Sequence, residues 1–494
     1  MRERQIIVLG MVGILVLGAS PIAADVRPSG TPEPILLSAA STGADKPEAD
    51  KPKADPAGKE TPKAKAERLF NEGRDALFRG EYAKAVGLLK QAVAADKAKT
   101  RYRLYLARAH RYARNTDEAE KLLAAIVKAS PDHVEAGQTL GEMYIQQEKW
   151  AEAAKVLERL LRYRHDYPTY HMLAEAKYNL DDLPKARKYF KEAVKLNPNS
   201  AADHYQLGNI HLAQNAFALA AESYQKALRL GLHSPVLHYK LGSAYFNLRN
   251  YFGRVAEVTV KSGKPGTISG SWYLIEPAPG KKDVFRVAPS NSAIYHVAKA
   301  IETGLKGEGE IRFLRANIYL NARRYPEAYE MFKKLAAAAP KPKDDKRPTE
   351  DRALFQYYFA QAAFGVGKYD EYLTLLRKAI ELAPEAYQAT LVDAYLRVAE
   401  QHNQSGDLKG YIQYLKMAVA EAPKKVAPHL KLGYAYEEAR QYPEAIVQWR
   451  MVLDLEPDHA RRMALLELIR KYGTEPPKPA PAPKKKAPAK RRTT

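Results

Sequence analysis

Apolar residues along this chain come in paired bursts of helical spacing, each pair divided by a short polar turn. In the first pair the bursts are Ala66–Phe78 and Tyr82–Ala95, with Arg79-Gly80-Glu81 between them. Recurrence at three and four residues predicts amphipathic helices, and the polar triplet predicts a tight reversal. The pair then repeats. Small residues recur at Gly73, Ala107, Gly141, Ala174, Gly208 and Gly242, with spacings of 34, 34, 33, 34 and 34. A fixed period of this size predicts stacked supersecondary units rather than one globular core. It also moves the question of function from catalysis towards binding.

The small residue of each first helix, and an alanine early in each second helix (Ala85, Ala153, Ala220), let two antiparallel helices cross closely. An aromatic just after the turn (Tyr82, Trp150, Phe217, Tyr251, Tyr325, Tyr369, Tyr442) is predicted to fill the wedge between them. Prolines 131, 198, 340, 384, 423 and 457 close many second helices, since proline cannot continue the hydrogen-bond ladder. Held in phase over many copies, these positions resemble the tetratricopeptide repeat (TPR) family, in its exported bacterial form. The resemblance covers residues 66–473 and implies an all-α, right-handed α-solenoid of about ten helix-turn-helix units. Beyond Gly242 the small marker stands at Ala316, Ala360, Ala399 and Gly433, with spacings of 74, 44, 39 and 34. Subtracting one period of 34 leaves insertions of 40, 10 and 5 residues, the first of which splits the sixth unit. Departures from the family pattern include His204, His238, Arg103 and Gln356, where a large aromatic is usual. Tyr372 and Tyr411 replace an alanine, so looser or rearranged packing is expected around them.

Inside the split unit the period changes. Val255–Val260 alternates with β-branched residues, Ser262–Gly266 reads as a turn, and Thr267–Ile275 and Asp283–Val287 read as further strands. Residues 252–291 are therefore expected to form a small β-rich insertion, an antiparallel meander. Marginal alone, it would dock on the helices through Trp272, Tyr273 and Phe285. Counting back from Ala316 puts the late small position of the second helix at Ile301, beside Ala300.

The ends carry different information. Arg2 and Arg4, the apolar run Ile6–Gly18 and the small residues Ala23-Ala24 read as a secretory signal over residues 1–24. An uncleaved N-terminal anchor is the alternative. Residues 25–65, rich in Pro, Ala and Lys, hold seven basic and seven acidic residues and read as a disordered linker. The tail, 474–494, has seven basic residues against one acid, part of a formal net charge of +22. Such a cluster favours an anionic envelope surface, and export makes nucleic acid an unlikely partner. The chain has no cysteine, which excludes a lipid anchor on cysteine, disulfide staples and thiolate metal sites. Residues 66–251 are read as repeats 1–5 with the first helix of the sixth, and 292–473 as the remainder with a capping helix.

No phosphate-binding glycine loop, nucleophile elbow or metal-binding histidine pair is present in the sequence. His204 and His238 share a slot in consecutive first helices and read as packing or solvated residues. No cofactor, metal or catalytic residue is expected. Resemblance to TPR proteins implies that first helices line a concave groove. The phases that touch ligand there hold Arg74, Arg101, Arg108, Arg111 and Tyr112, then Tyr205, Asn209, Tyr239, Asn247, Phe313, Asn317 and Asn321. Arginine forks suit carboxylates, and asparagine amides suit an extended peptide backbone. The implied function is an exported scaffold binding protein or peptide partners, acidic ones among them, in cell-envelope assembly. A non-catalytic polysaccharide- or wall-associated assembly factor is the alternative.

Overall fold

The computed structural model describes residues 61–259, 272–281, 284–305, 308–340, 345 and 347–473. Side chains of residues 258, 272–277 and 308 are not among those described. The signal, the tail and residues 25–60 of the linker thus lie outside the described residues, and the expected end of the linker at 65 is corrected: Thr61 caps the first helix and Pro62 opens it, so residues 62–65 are already helical. Helices pair along the chain. Repeats 1 to 5 are Pro62–Phe78 with Tyr82–Ala95, Thr100–Tyr112 with Thr116–Ala129, Val134–Gln146 with Trp150–Leu160, Tyr167–Asn179 with Leu183–Leu196, and Ala201–Ala213 with Phe217–Arg229. Repeat 6 pairs Pro235–Asn247 with Ala293–Glu302 across the insertion. Repeats 7 to 10 are Glu308–Asn321 with Tyr325–Ala338, Thr349–Gly365 with Tyr369–Leu382, Thr390–Gln404 with Leu408–Glu421, and Val426–Glu438 with Tyr442–Leu455, before a last helix, Arg462–Gly473. Two compact units part between repeats 6 and 7. Each is a stack of helical hairpins, the first also carrying a small sheet. Among the described residues no helix is long and apolar enough to cross a membrane.

One turn closes every first helix. A residue with positive φ stands at Gly80, Arg114, Glu148, Asp181, Asn215, Arg249, Arg323, Gly367, Gly406 and Arg440. Each falls seven residues after the small marker, so the backbone repeats the period of the sequence. In repeat 2 the amide of Asn115 donates to His110 O (2.8 Å) and that of Arg114 to Arg111 O (3.1 Å). This paired cap satisfies two of the carbonyls a helix end leaves open. A left-handed residue other than glycine costs about 1–2 kcal/mol, and here the cap bonds and hairpin packing offset it.

Close helix crossing rests on the marker residue. A Cβ added to Gly208 would lie 2.5 Å from Tyr224 Cε1, and one on Gly433 would lie 2.4 Å from Trp449 Nε1. Both rings are fully buried. The wedge aromatics are less uniform than the sequence implies. Tyr82 is 38% exposed and stacks on Tyr112 (5.5 Å, 14°). Tyr372 and Tyr411 are both buried, so the second helices of repeats 8 and 9 repack around them.

The insertion forms a three-stranded sheet from β1 (Ala256–Thr259), β2 (Trp272–Pro277) and β3 (Val284–Pro289), in the order β1-β3-β2 with both pairs antiparallel. The expected meander is therefore corrected: β3 is the central strand. Twelve residues separate β1 from β2, so no short turn forces them to pair. β3 brings Val287 and Ala288, both fully buried, to the centre. Phe285 is only half-buried, while the side chains of Trp272 and Tyr273 lie outside the described set. The base of the excursion is pinched. Amides of Ala293 and Ile294 donate to Asn250 O and Tyr251 O, both at 3.0 Å, and Asn250 Nδ2 donates to Asn291 O at 2.7 Å. Ala293, Val297 and Ala300 are fully buried, so the late small position is Ala300, one residue from the expected Ile301.

Because the helical ladder resumes across this pinch, deleting 252–291 is expected to leave the array folded. Circular dichroism should show helicity retained, with a single melting transition within a few degrees of the intact chain. Global unfolding would make the sheet part of the core.

Candidate functional site: the first-helix face

Consecutive first helices are joined by polar cross-links. Arg108 pairs with Glu135, and Arg111 grips both oxygens of Glu142 (2.8 and 2.9 Å). Gln138 Nε2 donates to Asp166 and Thr169 (3.1 Å each), and His171 Nδ1 meets Asp203 Oδ1 at 2.5 Å. Lys240 Nζ donates to Asn209 Oδ1 at 2.7 Å. A side chain on a helix leans towards its N-terminus, so each partner sits slightly less than one period away. The ladder runs through repeats 2 to 6.

These contacts revise the charge argument for the arginines. Arg74 bonds Asp75 (3.0 and 3.2 Å), Arg101 covers the Phe70 ring at 4.7 Å, and Arg108 and Arg111 hold glutamates. Three of the four guanidiniums are therefore balanced by carboxylates of the protein itself, and Arg101 rests on a ring face. Tyr112 is exposed and stacked on Tyr82. Further along, Tyr205 and Asn209 are buried, whereas Tyr239 and Asn247 are half-buried, Asn247 Nδ2 donating to Ser243 O at 2.9 Å. In the second unit Phe313 packs among Phe332, Phe355 and Tyr358. Asn317 is buried and donates to Phe313 O (3.1 Å), its Oδ1 having no hydrogen-bond partner among the described residues; Asn321 donates to Asn317 O (2.9 Å).

The residue that sequence reasoning missed is Lys240. Its ammonium lies 5.1 Å from the centre of the Tyr205 ring, and its one hydrogen bond among the described residues goes to Asn209. Asn209 Oδ1 also accepts from Tyr224 OH (2.9 Å). Burial alone pushes the lysine down to about 8, with no carboxylate near enough to hold it up. Burial likewise pushes Tyr205 up to about 12. An ammonium with a neutral amide, a ring face and no counter-ion is an incomplete ion site. The available signal was a lone lysine between Tyr239 and Leu241, 31 residues after Asn209.

His204 Nε2 caps Pro198 O at 3.1 Å on the surface, whereas His238 meets His296, a partner across the insertion. No group of three potential metal ligands gathers among the described residues.

A stack of helical hairpins joined through one ladder-bearing face defines a helical-repeat scaffold for protein–protein interaction. Residues 70–251 belong to the tetratricopeptide repeat family. Tetratricopeptide repeat profiles match residues 70–134, 110–178, 171–235 and 205–251. The TPR repeat-containing protein YpiA of Bacillus subtilis is 24% identical over 358 residues, which are 66% of this chain and 81% of YpiA. Human protein O-mannosyl-transferase TMTC1 is 27% identical over 184 residues, 36% of this chain and only 21% of that protein. Among solved structures, MamA from Desulfovibrio magneticus RS-1 aligns with TM-score 0.32 at 23% identity, over 34% of this chain and 94% of its own. YrrB, described as a TPR protein with an unusual peptide-binding site, aligns with TM-score 0.33 at 18% identity, over 47% of this chain and 94% of its own.

Proposed function

We propose that the protein is an exported, non-catalytic scaffold of the cell envelope that binds an extended protein segment along the first-helix face of repeats 4 to 6. The observation that carries this reading is Lys240, a half-buried ammonium with no carboxylate partner among the described residues, beside Asn209 and Tyr205. A carboxylate of a bound segment completes the site, and the half-buried Tyr239 adds contact area at low entropy cost. Export rests on the basic start, short apolar run and small-residue site of residues 1–24. The tail beyond Gly473 supplies attraction to anionic envelope surfaces through its lysines and arginines.

An array of extended peptides ending in a free carboxylate, matched by amidated copies, tests the site on the full chain. Free carboxylates should be retained and amides lost, and Lys240→Gln should weaken binding by about tenfold or more, as for a charge-assisted bond. The melting temperature should hold or rise, since the substitution removes a half-buried charge that has no carboxylate partner among the described residues. Equal binding of acids and amides would defeat the reading.

A further inference from the structure

A second charge on the same face is also unbalanced, and its sign is opposite. Glu175 is half-buried on the first helix of repeat 4, with no hydrogen-bond donor to its carboxylate among the described residues. Asp203 faces it from the first helix of repeat 5 and is fully buried. One Asp203 oxygen is taken by His171 and the Tyr167 hydroxyl lies near the same carboxylate, while Oδ2 is buried with no hydrogen bond of good geometry among the described residues. His171, partly exposed, lies one helical turn before Glu175 and stacks on Tyr167 (5.6 Å, 24°). Tyr178 follows Glu175 by three residues and so shares its face.

The electrostatics agree with this geometry. Burial pushes Glu175 upward, His171 acts against it, and the Asp203 charge adds a smaller push in the direction of burial. Burial would lower His171, but the bond and charge of Asp203 outweigh it and hold the imidazole up. Two carboxylates therefore share one imidazole, and a buried acceptor is left over. Such a cluster lacks a positive group that donates hydrogen bonds.

We propose that His171, Glu175 and Asp203 form a subsite for an alkylammonium or guanidinium group. Resting on the groove reading above, this makes the bound segment dipolar: cation at repeat 4, anion at Lys240 in repeat 6. Glu175 and the edge of His171 meet the cation directly, Asp203 supplies its field from beneath, and the ring of Tyr178 borders the site.

Small probes separate the two ends. Butylammonium and butyrate are titrated separately into the full chain, with the ring signals of His171 followed by NMR. Butylammonium should shift them saturably, and Glu175→Gln should weaken that response by about tenfold or more. Butyrate should bind in a manner lost on Lys240→Gln, without requiring Glu175. Two peptides then distinguish the source of the cation: one N-acetylated with an internal lysine, one with a free amino terminus and norleucine instead. Whichever binds more tightly, and loses that advantage on Glu175→Gln, identifies it. An unsaturable butylammonium response, or one unchanged by Glu175→Gln, overturns the cation subsite whatever butyrate does. Failure of butyrate alone removes the anion end, and with it the groove reading, while leaving the cation subsite standing.

Discussion

Gly208→Ala should lower the stability of the first unit by about 1–3 kcal/mol, the usual cost of overfilling a packed core. The added methyl would meet Tyr224 Cε1 at 2.5 Å and Cδ1 at 2.6 Å. Tyr224 has no exposed surface, and its hydroxyl is tied to Asn209 Oδ1 at 2.9 Å, so the ring cannot swing aside without breaking that bond. Gly87→Ala is the matched control. Gly87 lies inside the helix Tyr82–Ala95, with nothing within 4 Å of an added Cβ. There the same change should stabilise by about 0.5–1 kcal/mol, because glycine in a helix costs that much relative to alanine. Chemical denaturation of both variants decides the matter through opposite signs. Tyr224→Phe, which frees the ring, should recover part of the Gly208→Ala loss; repeat 4 already pairs Ala174 with Phe190 in the equivalent slots. If both alanine variants shift alike, the crossing is not set by the ring.

The period was legible because each unit must bury the same small stripe against the same knob. Gly73, Gly208 and Gly433 each announce a crossing that the structure contains, opposite Leu89, Tyr224 and Trp449. The ten left-handed turn residues were not legible as such. Arg114, Glu148 and Arg249 carry no turn propensity of their own, and the hairpin imposes the conformation on them. The face itself was half legible. Phase located Tyr205 and Asn209, but it counted arginines as unbalanced charges because glutamates of the next repeat lie 27 and 31 residues away, not 34. Lys240 and Asp203 escaped for the same reason: whether a charge has a partner depends on the tilt of side chains between repeats. The sheet order escaped because strand pairing is tertiary: β3 is the strand whose neighbouring Val287 and Ala288, pointing to opposite faces, are both fully buried.

Acid should open the chain first at repeat 6. His238 and His296 face one another Nδ1 to Nδ1 at 2.9 Å, their rings stacked at 5.1 Å. Only one proton fits between two such nitrogens, so one imidazole donates and the other accepts. His296 is 3% exposed and lies under the parallel ring of Tyr245 (5.7 Å, 8°). Burial holds both histidines well below the ordinary imidazole value; His233 and Lys299 add to it at His238, and His238 adds to it at His296. The unfolded chain therefore takes up protons that the folded chain refuses. Above about pH 6.5 both states are neutral and the pair costs nothing; as pH falls below that value stability is lost, at up to about 2.7 kcal/mol per pH unit for two protons. The pair also joins the first helix of the split repeat to the second across the insertion, so its protonation strikes the interface on which neighbouring units depend. Melting temperature measured between pH 7.5 and 5 should fall steeply for the native chain and less steeply for His296→Phe, which keeps a ring in the stack but cannot charge. The difference in slope is the diagnostic quantity, since carboxylates elsewhere titrate in both proteins. Parallel curves would mean that the acid response arises outside this pair.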